Sequence, residues 1–79
     1  MDALKNWLEK NGPAGRKRLL EALRENYPLI TSTSITHYSL GKRIPDKEKA
    51  EIIARIIEVP LSSIPYRVTH IPGLQAQNV

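Results

Sequence analysis

The residues best suited to chemistry cluster between Thr31 and Arg43, in the run TSTSITHYSLGKR. Ser32, Thr33, Thr36 and His37 are small or flat polar groups that donate or accept hydrogen bonds without long charged arms. On one face of a helix, such groups can meet base edges in a DNA major groove, where a threonine methyl can also touch a thymine methyl. Lys42 and Arg43 follow Gly41 directly, with no acidic neighbour before Asp46. Two cations at a turn keep it soluble, or they reach a phosphate backbone. Composition alone leaves those readings even. A second group, Arg16, Lys17 and Arg18, crowds the start of another helical segment. Cations there are slightly unfavourable beside the positive end of the helix dipole. That cluster is either a solvated helix end or a further DNA contact.

No pattern supports catalysis or a metal. There is no Ser/His/Asp order, no glycine-rich phosphate loop and no acidic pair in a recognisable setting. With no cysteine and two histidines, His37 and His70, a metal site lacks ligands. No cofactor is expected. Twelve Lys and Arg against eight Asp and Glu give a net charge of +4. That bias suits a nucleic-acid partner without requiring one.

Four helical segments must position these groups. In the first, Leu4, Trp7 and Leu8 share a face, and Gly12-Pro13 ends it. The second, from Pro13 to Asn26, carries Leu19, Leu20 and Leu23 inward and stops before Pro28. In the third, Thr31 or Ser32 can cap, Ile35 and Tyr38 point inward, and Gly41 supplies a left-handed C-terminal cap. Ser and Thr are mediocre helix formers, so this helix needs tertiary support. The fourth begins near Asp46, with Ala50, Ile53, Ala54 and Ile57 on one face and Lys47, Glu51 and Arg55 in an outward ladder. Pro60 closes it. The alternating YRVTHI, between Pro65 and Pro72, reads as a short strand. It can pack on its own helices, pair with a second copy, or stay loose.

The order SITHYSLGKRIPDKEKAEIIARIIEVPLSSI, residues 34–64, resembles the second half of the phage Cro/repressor-type (Xre-like) helix-turn-helix domain. The likeness lies in Ile35 and Tyr38, then Gly41-Lys42-Arg43-Ile44-Pro45, then Ala50, Ile53 and Ala54, then Val59-Pro60-Leu61 with Ile64. Leu19 to Leu23 extend it weakly. Where the family usually carries a small residue ten positions before the Ile35 equivalent, this chain has Glu25. Aligning Ala22 instead lengthens the turn around Tyr27, Pro28 and Leu29, with Ile30 as the apolar turn residue. Asn26 then takes the place of the family's glycine, and Asn tolerates the left-handed conformation. Leu40 stands where a polar residue is common. The family's phosphate-contacting Gln is absent, and Arg16 to Arg18 are candidates to replace it.

The resemblance implies an all-α, small helix-turn-helix bundle of four or five helices, with room for a short C-terminal β-strand. The domain would cover residues 1–72 and a flexible tail 73–79. It implies a sequence-specific transcriptional regulator of double-stranded DNA, Cro-like, from a phage or prophage. The expected form is a homodimer on an operator in the bacterial cytoplasm. Base contacts would fall to Ser32, Thr33, Thr36 and His37. Phosphate contacts would fall to Thr31, Lys42, Arg43, Arg16 and Lys17. The alternative is an antitoxin-like or anti-regulator module that keeps the fold and binds a protein. No membrane span is expected, because no apolar run approaches ~20 residues, and the N-terminus is too polar for a signal peptide.

Overall fold

A computed structural model describes residues 1–68. The fold is all-α. The described residues form three α-helices, α1 (Asp2–Arg24), α2 (Ser32–Leu40) and α3 (Lys47–Ile57), followed by a 3-10 turn at Leu61–Ser63. α1 packs against both α2 and α3, and the 3-10 turn packs on α3.

The helix count is three, not four or five, because the first two expected segments run on as one kinked element. Gly12 breaks the helical path with φ 65 and ψ −157. Only glycine enters that region without strain. Pro13 then restarts the helix at the position where its missing N–H costs nothing. The kink lets one element serve two partners. Leu4 lies in the same core as Leu19 and Leu23. Gly15 sits under the Trp7 ring, and an added Cβ would stand 2.5 Å from the Asn11 Cβ.

The core joins those leucines to Ile30, Ile35 and Tyr38, and to the α3 face of Ala50, Ile53, Ala54 and Ile57, with Ile64 below. These are the inward positions that the 3.6-residue period marks. α3 starts as expected, with the Asp46 carboxylate accepting from the Lys49 N–H at 3.0 Å. It ends at Glu58, whose φ of 61 makes it the one non-glycine residue with positive φ among those described. The expected left-handed Asn26 therefore does not occur. α1 ends at Arg24, two residues short of Asn26, and Glu25 keeps a right-handed helical φ and ψ.

The connection from α1 to α2, residues 25–31, is longer than the about 3–4 residues usual in a helix-turn-helix. A turn closes it, the Ile30 N–H donating to the Tyr27 carbonyl at 3.0 Å. Arg24 Nε donates to the Ile30 carbonyl at 2.9 Å; the Ile30 side chain is buried while Leu29 is 92% exposed.

The expected C-terminal strand is not a strand within the described residues. It is a single parallel bridge between Asp46 and Arg67, with the Arg67 N–H donating to the Pro45 carbonyl at 2.8 Å. On the other side of the bridge the chain enters α3 at Lys47. Residues 69–71 of that expectation, the boundary at 72 and the tail 73–79 lie outside the described residues.

Candidate nucleic-acid interface

α2 is only nine residues long and rests on the core through Ile35 and Tyr38. Such a short, Ser/Thr-rich helix depends on that packing. Thr31 takes the N-cap position with extended φ and ψ, but its side chain makes no capping bond. At the other end Gly41 adopts the left-handed cap, φ 77. The Lys42 N–H then donates to the His37 carbonyl at 2.9 Å and the Arg43 N–H reaches the same carbonyl at 3.3 Å. The backbone of both cations is thus tied to the last turn of the helix that carries the polar groups.

The four candidate base-contact residues occupy two sides of α2. Thr33 is exposed and His37 half-buried, and with Leu40, 53% exposed, they recur at i, i+4 and i+7 along one stripe. Ser32 and Thr36 are half-buried and share a partner in Arg16. One Nη of Arg16 donates to the Ser32 hydroxyl at 3.1 Å, the Thr36 hydroxyl at 2.9 Å and the Ser32 carbonyl at 3.2 Å. Each hydroxyl accepts from the guanidinium and keeps its own O–H as a donor. Ser39 is buried, its hydroxyl donating to the Thr36 carbonyl at 2.8 Å.

The Arg16 to Arg18 cluster therefore separates. Arg16 turns to α2. Arg18 donates to the Ile56 carbonyl at 3.2 Å, near the C-terminal end of α3, and its guanidinium lies 5.7 Å from the Trp7 ring centroid. Lys17 is exposed.

Lys42 and Arg43 are exposed and border an open cleft of about 590 Å³ together with Lys49 and Arg67. Arg67 is the residue that sequence reasoning missed as a member of this group. Its Nε donates to the Ile44 carbonyl at 3.3 Å. Lys49 is partly neutralised, its ammonium 3.0 Å from the second carboxylate oxygen of Asp46 and 4.3 Å from the Tyr27 ring centroid. Burial acts to raise the Asp46 carboxyl, but the bonds from the Lys49 N–H and ammonium, with the charges of Lys49 and Arg67, outweigh it and hold the group below its ordinary value. Tyr27 moves the other way. Burial first, then its hydroxyl's bond to Glu48 and the nearby carboxylates, push the phenol up to about 12.

No group of three or more metal-ligating side chains occurs among the described residues. None of their helices is long and apolar enough to cross a membrane. No protein-family model, curated protein or solved structure matches the chain.

Proposed function

We propose that the protein is a sequence-specific double-stranded DNA-binding regulator of transcription, a Cro-like repressor acting as a homodimer in a bacterial cytoplasm. α2 enters the major groove, and Lys42 and Arg43 hold the flanking phosphates. One observation carries the reading: Lys42 and Arg43 are bonded through their backbone to the His37 carbonyl, so the cations sit at a fixed offset from the polar face of α2. Phosphate contacts at a fixed offset set the register in which base contacts are made. Ser32, Thr33, Thr36 and His37 make those base contacts. Thr31, at the N-cap of α2, and the exposed Lys17 are the candidates for a second phosphate, while Arg16 braces the Ser32 and Thr36 hydroxyls from α1. A single nine-residue helix reads few base pairs, so useful specificity calls for two copies on an inverted repeat with half-site centres about 10 bp apart. Selection from a randomised duplex pool with the purified protein tests this. Enrichment of such a repeat is the expected result, and a selected pool indistinguishable from the input contradicts it.

A second reading is favoured by Leu29, which stands 92% exposed on the long connection. In that reading the same fold binds a protein through residues 27–30. Leu29→Ser would then abolish partner binding, whereas a DNA reader keeps its affinity for duplex in that variant.

A further inference from the structure

We propose that Arg67 is a third phosphate-binding cation of the Lys42–Arg43 turn, and that the cleft these three residues border takes a phosphodiester oxygen of duplex DNA. The inference rests on the DNA-binding reading and adds to it a residue far away in sequence. Three observations carry it. First, the fold brings Arg67 to the same cleft as Lys42 and Arg43. Second, its position is fixed by main-chain bonds. The Arg67 N–H donates to the Pro45 carbonyl at 2.8 Å and Nε to the Ile44 carbonyl at 3.3 Å. Those bonds use one side-chain donor of about five, leaving the two Nη groups to form the fork that fits phosphate oxygens. Third, Arg67 feels the Asp46 charge but forms no ion pair among the described residues. Asp46, the residue bridged to Arg67, has both carboxylate oxygens engaged by Lys49, and the one ion pair among the described residues is Lys49–Asp46. Three like charges around one open cleft repel one another, and an anion placed between them relieves all three at once.

The test compares the salt dependence of binding to one random-sequence duplex for the parent, Arg67→Gln, Arg67→Lys and the double variant Lys42→Ala/Arg43→Ala. A contact made by Arg67 predicts that Arg67→Gln lowers the slope of log K against log salt by about 1 per contact, doubled in a two-fold dimer. Arg67→Lys retains the slope, since it keeps the charge. Thermal melting of Arg67→Gln, together with the Arg67→Lys result, separates a lost contact from a lost fold. An unchanged slope in Arg67→Gln, with a lowered slope in the double variant, overturns the third contact and leaves the DNA-binding reading standing. A parent that binds no duplex overturns both. Inorganic phosphate added at constant ionic strength completes the experiment. Competition stronger than that of chloride in the parent, and reduced to the chloride level in Arg67→Gln, is expected; equal competition in parent and Arg67→Gln removes Arg67 from the phosphate contact and overturns the proposal.

Discussion

Two clusters of cations, Arg16 to Arg18 and Lys42–Arg43, look alike in the sequence and differ in the fold. In the first, two of three charges are used internally: Arg16 on the hydroxyls of α2, and Arg18 on the Ile56 carbonyl and the Trp7 face. In the second, both side chains face outward and a third cation, Arg67, joins them. The difference lies in what stands nearby. A helix start packed across another helix finds oxygen acceptors and rings within reach of a long side chain. A turn that follows a left-handed glycine cap has its main chain satisfied by the helix it leaves, and its side chains meet only solvent. A run of basic residues thus predicts charge; the neighbouring elements decide whether that charge is available to a ligand.

The comparison can be broken by swapping the expected effects. The largest belongs to Lys42→Ala/Arg43→Ala. Its salt slope on any duplex should fall by about 2 per subunit, roughly 4 in a two-fold dimer, while thermal stability stays within about 0.5 kcal/mol of the parent. Arg16→Ala should do the reverse. Losing charged hydrogen bonds to Ser32 and Thr36 should destabilise the fold by about 1–3 kcal/mol, read by denaturant unfolding, with a far smaller change in salt slope. If Arg16→Ala lowers the slope as much as the turn variant, Arg16 is a phosphate contact and the contrast fails.

Asp46 lies at the foot of the second cluster and should cost about 1 kcal/mol when replaced by Ala, through loss of the α3 cap. Its folded pKa is depressed. Its charge-dependent stabilisation is therefore present above the unfolded carboxyl value of about 3.9 and is lost as pH falls through the lower folded value. Asp46→Asn retains a capping oxygen and should flatten stability against pH in that acidic window. Unfolding titrations of the two variants below pH 5 check the sign. The smallest effect is expected at Arg18→Ala, about 0.5–1 kcal/mol for an exposed cation over an indole, measured by thermal melting.

Much of the scaffold was legible because it is written in local periodicity. The Ala50, Ile53, Ala54 and Ile57 stripe, the start of α3 near Asp46 and the Gly41 cap each follow from residues within one or two helical turns. The helix count was not, because Gly12-Pro13 signals a break without saying whether the chain turns away or restarts along a kinked path. Asn26 was misplaced because Arg24 bonds to the Ile30 carbonyl and the turn closes without a left-handed residue. The candidate site was half visible. Thr33, His37, Lys42 and Arg43 could be found from residue type and helical spacing. Nothing local to Tyr66-Arg67-Val68 announces that Arg67 meets them, since that contact depends on a bridge to Asp46 across more than twenty residues of chain.

His37 offers the most direct test of base reading by α2, because its ring makes no side-chain hydrogen bond among the described residues, whereas Thr36 also holds Arg16. Affinity for the selected duplex and for a random duplex should be measured side by side for the parent and His37→Ala. The account predicts that the selected site weakens by about 1–3 kcal/mol while random-duplex binding is unchanged. Equal affinities of parent and variant on both duplexes would contradict it.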